Sequence, residues 1–319
     1  MYENNYTVLK EICAEKAVIR HISKHRNPDG SIDREGNLKI WDDAVARFEA
    51  IPLWEDGAPG FDDRDPLQKQ PSIVFVPAQG EKKHIGTIIV ACGGGFETRT
   101  GCEGMNVAEY FTDAGFNTAI LTYRLKPYSR YDSMHDMQRA IRLIRAKKDE
   151  LGVSSKVVCM GFSAGGMLSG NCATHFDLGD PQAADPIERE SDRPDAAVLG
   201  YGAFSFAGMA GVFEDPFGTM TRNPFVVNRE ELIYFAPEVN VTRDTPPFFI
   251  WQTNGDDPRH SFIFGQALTA VGIPFEMHLF PDGVHGLALA DGNNDLSMAV
   301  PQTAKWAELC VGWMDNLGI

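Results

Sequence analysis

From Ser72 onward the chain alternates between two kinds of hydrophobic pattern. Short apolar runs recur at 72–76, 87–91, 116–122, 156–161, 196–200, 248–253 and 275–280. Bounded by turn-forming or charged residues, such runs predict buried strands. Between them lie stretches whose apolar positions predict helices over 103–114, 133–150, 164–176, 261–271 and 303–317. In the second of these, Met134, Met137, Ile141, Ile144 and Leu151 form one apolar face. That pattern puts Arg139, Arg142, Arg145 and Lys148 on the outer face. Alternating strands and helices predict an α/β fold, a mostly parallel sheet covered by helices on both faces. Ligands then bind beyond the carboxyl ends of the strands.

Three segments stand outside this alternation. Residues 1–50 read as a polar, mostly helical extension. Val8, Ile12, Ala17, Ile19 and Ile22 give a partial apolar stripe, broken by Asn27-Pro28-Asp29-Gly30. A second short helix is expected from Trp41 to Phe48. The extension could pack on the core, cover a site or form a homo-oligomer contact. Asp177 to Asp195 is rich in acidic residues and proline. It reads as a solvated loop without a recognised calcium spacing. The insertion at about 204–235 holds Phe204, Phe206, Met209, Phe213, Phe217 and Phe225. It is either extra core or an apolar cap that shapes a substrate pocket, with Phe206 and Phe213 as lining residues.

Chemistry enters with Gly161-Phe162-Ser163-Ala164-Gly165, placed between a predicted strand and a predicted helix. A serine on such a tight strand-to-helix turn exposes its hydroxyl at the top of a sheet, and the flanking glycines let the backbone pass without clashes. On its own, the pentapeptide also fits a Gly/Ser-rich turn with no chemistry. Cys92-Gly93-Gly94-Gly95-Phe96 follows another strand, and its backbone N–H groups can converge on an anion. Asp256-Asp257 follows the strand at 248–253, and His285 sits between glycines beyond the strand at 275–280. Each piece alone is common. Four pieces, each following a strand, in the order Ser, Asp, His, are not.

With these residues the chain resembles an α/β-hydrolase of the carboxylesterase superfamily, close to the acetyl-xylan-esterase-like and hormone-sensitive-lipase-like branches. The likeness runs from about Ile51 to the C-terminus. It includes Ile51-Pro52-Leu53-Trp54, Glu103-Gly104, Tyr123-Arg124-Leu125, Asp136 with Arg139-Ala140-Ile141-Arg142, Arg193-Pro194-Asp195 and Thr245-Pro246-Pro247-Phe248. Cys92 stands where many members carry His or Pro, which leaves a backbone anion site intact. The resemblance implies a catalytic domain over 51–319 and a serine esterase for small carboxylic esters, with short acyl groups on a sugar or similar alcohol. It implies Ser163 as nucleophile, His285 as base and Asp257 as the acid that holds the imidazole, Asp256 being a loop neighbour. The N–H groups of Gly94, Gly95 and Ala164 are the expected oxyanion donors, with Phe96 beside the pocket. Arg124 is expected to pair with Asp136 or Glu103. Two alternatives stay open: an amidase or peptidase of the same fold, and a binding protein on a hydrolase scaffold.

Composition narrows the partners. Of 319 residues, 43% are hydrophobic, enough for a large core. The net charge of -15 argues against nucleic acid or an anionic membrane surface. No apolar run reaches the ~18 residues of a membrane span. The first residues, Met1-Tyr2-Glu3-Asn4-Asn5, carry no basic patch ahead of an apolar stretch, so no secretory signal is expected. Six cysteines lack CxxC spacing and read as reduced thiols of a cytoplasmic protein. No histidine falls in a metal-ligand pattern, so neither metal nor cofactor is implied.

Overall fold

The structure, a computed structural model, describes residues 2–15, 27–80, 84–205 and 229–319. Its centre is an eight-stranded sheet: β1 Ile51–Pro52, β2 Ser72–Val76, β3 Thr87–Ala91, β4 Asn117–Thr122, β5 Val157–Phe162, β6 Ala196–Gly200, β7 Phe248–Thr253 and β8 Phe275–Phe280. The spatial order is β1-β2-β4-β3-β5-β6-β7-β8. β1 and β2 are antiparallel to their neighbours, and all pairings from β4 to β8 are parallel. β3 to β7 are buried at every position. Covering both faces of a parallel sheet buries both sets of side chains, which is why these strands read as unbroken apolar runs. The short edge strand β1 carries no such signal.

Helices cover the faces: α1 Tyr2–Ala14, α2 Arg34–Val45, α3 Val107–Asp113, α4 Arg130–Ala146, α5 Ala164–Thr174, α6 Arg259–Val271 and α7 Pro301–Leu317. The helix expected over 103–114 opens instead as a π-helical turn, Cys102–Asn106, that leads into α3. α4 starts earlier than its apolar face suggests, because Ser129 and Asp132 form a reciprocal capping box. α2 likewise starts before Trp41, where the Asp33 side chain accepts from Gly36 N–H. Leu9, Ile12, Leu38 and Trp41 are buried in the same core as β2 to β5. The indole of Trp41 donates to Thr122 Oγ1 at 3.1 Å.

One expectation on charge is overturned. Arg139, Arg142 and Arg145 are not on an open outer face; they are 3%, 6% and 8% exposed. The acidic segment covers them. Arg139 pairs with Asp185 and Glu188, Arg142 with Asp177 and Asp192, and Arg145 with Asp195. The segment is therefore a lid of carboxylates over an arginine row. Buried charges persist because each finds a partner.

Candidate active site

β5 ends at Phe162 and α5 begins at Ala164, so Ser163 alone makes the turn. Its φ of 53° and ψ of -120° lie where side-chain-bearing residues rarely sit. The turn is feasible because its neighbours lack side chains. A Cβ on Gly161 would sit 2.0 Å from the Gly165 carbonyl oxygen, and one on Gly165 would sit 2.1 Å from that of Ala91. Ser163 Oγ thereby stands at the carboxyl edge of the sheet, 2.8 Å from His285 Nε2.

His285 comes from the loop after β8. Its Nδ1 lies 2.7 Å from Asp256 Oδ2, in the loop after β7. An ionised carboxylate can only accept, so Nδ1 carries the proton and Nε2 faces the serine as an acceptor. This corrects the expected assignment of Asp257. Asp257 Oδ1 and Oδ2 accept from Arg259 Nε and Nη2 at 2.7 and 2.5 Å, and Oδ1 also accepts from Arg259 N–H. Asp257 thus spends its carboxylate on Arg259, and its own N–H donates to Asp256 Oδ1. Arg259, two residues on in the first turn of a helix, was the sequence signal for this local role.

Asp257 and His285 are shifted in opposite directions, each toward its charged form. Burial pushes the Asp257 carboxyl up, but the Arg259 hydrogen bonds outweigh it and hold it below the usual range. For His285, burial favours the neutral ring. The Asp256 hydrogen bond and charge, with the Glu103 charge behind them, outweigh burial and raise its pKa. The His285 side chain is 51% exposed, at the mouth of the site.

That mouth opens on a cavity of about 650 Å³. Ser163, His285 and Gly286 form one wall, and Gly94 and Gly95 form another. Ala164 is the first residue of α5, so its N–H has no acceptor within the helix. Thr98, Thr100, Glu103 and Asp295 supply a polar lining, and Ile32 and Leu296 an apolar one. Ile32 belongs to the N-terminal extension, so that segment reaches the site. None of these polar or apolar wall residues was picked out from the sequence as lining a pocket, since they come from three separate stretches of the chain.

Glu103 is the least expected of them. It is 2% exposed, accepts from Gly93 N–H at 2.7 Å and from Tyr201 Oη at 2.8 Å. Burial pushes its carboxyl up to about 7, against the pull of the Tyr201 bond, the His285 charge and the Gly93 N–H, while Asp295 adds to the rise. Arg124 is not its partner. The Arg124 guanidinium meets Asp136 at 2.7 Å, and both side chains are fully buried away from the cavity.

Two other expectations change. Phe96 does not line the cavity; it is 2% exposed, edge-on to Tyr123 and beneath Arg130. Phe206 and Phe213 lie outside the described residues, so the cap insertion is described only at Phe204, Ser205 and from Arg229 on. Phe204 is buried in a core cluster with Phe248 and Phe264. Among the described residues, the six cysteines are buried and form no disulfide, no cluster of His, Cys, Asp or Glu could hold a metal ion, and no helix is long and apolar enough to cross a membrane.

A mostly parallel sheet of this order, with a strained serine after β5 and a histidine after β8, defines an α/β-hydrolase. The chain belongs to the BD-FAE family, whose model matches residues 74–260. The proteins it is similar to include carboxylic ester hydrolases. It is 32% identical to the acetyl ester-xyloside bifunctional hydrolase of Caldicellulosiruptor lactoaceticus, with a TM-score of 0.72, over 85% of this chain and 96% of that one. A carboxylesterase from Lactobacillus plantarum shares the fold at 24% identity and a TM-score of 0.61, over 78% of this chain and 93% of that one. Endo-1,4-beta-xylanase B of Butyrivibrio fibrisolvens is 34% identical over 215 residues, 64% of this chain. The chain spans about a third of that relative's length, 33%.

Proposed function

We propose that this esterase removes short acyl groups, acetyl above all, from a sugar or similar alcohol by a serine mechanism. The observation that carries the reading is the continuous line from Ser163 Oγ through His285 to Asp256, at 2.8 and 2.7 Å, opening on the cavity. In this reading His285 Nε2 takes the serine proton as Oγ attacks the ester carbonyl carbon. Asp256 keeps the ring in the right tautomer and stabilises the imidazolium. The oxyanion is held by N–H groups of Gly94, Gly95 and Ala164, each such donor being worth about 3 kcal/mol in the transition state. His285 then gives its proton to the leaving alcohol. Water, deprotonated by His285, attacks the acyl-enzyme; the acid departs and Oγ regains its proton.

The sugar assignment draws support from two relatives named for xyloside or xylan chemistry. The hydroxyl and carboxylate lining of Thr98, Thr100, Glu103 and Asp295 suits a hydroxyl-rich alcohol. Residues 51–319 form the catalytic domain in this reading, with 1–50 as an extension that contributes Ile32 to the wall. Six buried cysteines in thiol form support a reducing, cytoplasmic setting. A series of p-nitrophenyl esters from acetate to octanoate, run beside acetylated xylose and xylo-oligosaccharides, tests the function. Acetate and the acetylated sugars are expected to give the highest kcat/KM. A maximum at octanoate, with no release of acetate from the sugars, would replace this reading with a lipid-type esterase.

A further inference from the structure

Glu103 is a buried carboxyl that the serine mechanism above does not use. It sits in the π-helical turn Cys102–Asn106, a local distortion often found at functional sites. Its two oxygens serve two different loops. Oε2 accepts from Gly93 N–H at the start of the glycine loop, 2.7 Å away. Oε1 accepts from the Tyr201 hydroxyl at 2.8 Å, and that hydroxyl in turn accepts from Ala288 N–H at 2.9 Å. Ala288 lies three residues beyond His285 in the same loop. Tyr201 follows β6 with a φ of 35°, and its ring stands edge-on to the His285 imidazole at 5.1 Å between centroids. A Cβ built on Gly93 would lie 2.5 Å from Glu103 Oε2 and 2.8 Å from Ser163 Cβ, so carboxylate and nucleophile flank the same residue.

We propose that Glu103 is a positioning residue for ester hydrolysis, one carboxylate that ties the glycine loop, through Gly93, to the histidine loop, through Tyr201 and Ala288. This rests on the serine reading above. The chemistry asks for such a tie. Oxyanion donors and base come from loops far apart in sequence, and both must hold their places around Ser163 to within a fraction of an ångström. The carboxylate accepts on both oxygens at once, whereas an amide must turn a donor toward one of the two loops. The charge has a second effect. Glu103 helps raise the pKa of His285, while Asp295, Cys92, Cys102, Tyr123 and Tyr201 are the other titratable groups around the carboxylate.

The test uses the full chain, with kcat and KM on p-nitrophenyl acetate from pH 5 to 9, for Glu103→Gln, Glu103→Ala, Tyr201→Phe and Ser163→Ala. Glu103→Ala is expected to lose about 10²-fold in kcat, the scale of one misplaced oxyanion donor, with KM little changed. Glu103→Gln should lose less, since the amide still accepts from one loop. In Glu103→Gln the acid limb of kcat/KM should move to lower pH, because His285 loses a negative neighbour. A purely structural role would not move that limb. If Glu103→Ala does not fold, Glu103→Gln and Tyr201→Phe, which keeps the ring but cuts the tie to Glu103, decide the matter. Wild-type kcat and an unmoved acid limb in Glu103→Gln, with wild-type kcat in Tyr201→Phe and an inactive Ser163→Ala, would overturn this inference alone. Hydrolysis persisting in Ser163→Ala would instead overturn the serine reading on which it rests.

Discussion

Asp256 and His285 meet at 2.7 Å although 29 residues separate them in the chain, while Asp257, one residue on, turns its carboxylate away to Arg259. The swap has a direct kinetic consequence. Asp256→Asn should lower kcat by roughly 10⁴-fold, because an amide at that position lets the imidazole settle in the wrong tautomer. Asp257→Asn should cost little activity and about 1 kcal/mol of stability through the weakened bonds to Arg259. Steady-state kinetics of the two variants, with thermal melts, separate the roles. A more damaging Asp257→Asn would restore the assignment first expected.

Ser163→Ala should abolish turnover and leave the fold intact, since the hydroxyl takes part in no structural hydrogen bond other than that to His285 among those described. Alanine still has to adopt the strained turn, so the melting temperature is expected to stay close to that of the parent. Wild-type-like hydrolysis of any ester by the purified variant would end the serine mechanism.

The pH dependence follows from His285. The base must be neutral to accept the serine proton, and its pKa is raised above the usual 6.5 by Asp256 and Glu103 despite burial. Activity should therefore fall on the acid side with a midpoint above that ordinary value. Asp256→Asn removes the larger attractive charge, so any residual activity should persist to lower pH. A kcat/KM profile with its acid midpoint below 6 in the parent would contradict the arrangement.

Asp136 offers a stability test away from the site. It is fully buried against Arg124, which also donates its backbone N–H to Asp136 Oδ2 at 2.7 Å. Asp136→Ala leaves the buried guanidinium only its longer 3.3 Å pair with Asp132 and should cost about 3 kcal/mol, the lower end expected for breaking a buried pair. Burial outweighs Arg124 and pushes the Asp136 carboxyl up to about 6. A raised acid destabilises its ionised form in the folded state. Its contribution is thus most favourable below the ordinary value of 3.8 and declines as pH rises through 6. Urea titrations at pH 5 and pH 7.5 should show a smaller loss in the variant at the higher pH.

Ile32 brings the N-terminal extension to the cavity wall. Ile32→Ala should shift the acyl-length profile toward longer chains, since each additional buried methylene is worth about 0.8 kcal/mol. A chain-length series of p-nitrophenyl esters reads this out. An unchanged profile would place the acyl group away from Ile32.

The central strands were visible in the sequence because a parallel sheet buried on both faces demands unbroken apolar runs, and β3, β4, β5, β6 and β7 obey. Ser163 was visible because the strained turn forces glycine at 161 and 165, where a Cβ has no room. His285 was visible by its place after the last strand. These are local demands, and local demands leave marks in neighbouring residues.

Tertiary structure alone decided the rest. Which of two adjacent aspartates faces His285 depends on how one loop bends, and Arg259 captures the other. Arg139, Arg142 and Arg145 have the periodicity of a solvated face, yet an acidic segment some fifty residues on closes over them, down to the Arg142–Asp192 pair at 2.7 Å. Periodicity separates polar from apolar positions and says nothing of a charged lid arriving from elsewhere. The same holds for Glu103. Its partners Gly93, Tyr201 and, through the tyrosine, Ala288 converge only when three strand ends meet at one edge of the sheet, and no local pattern records such a meeting.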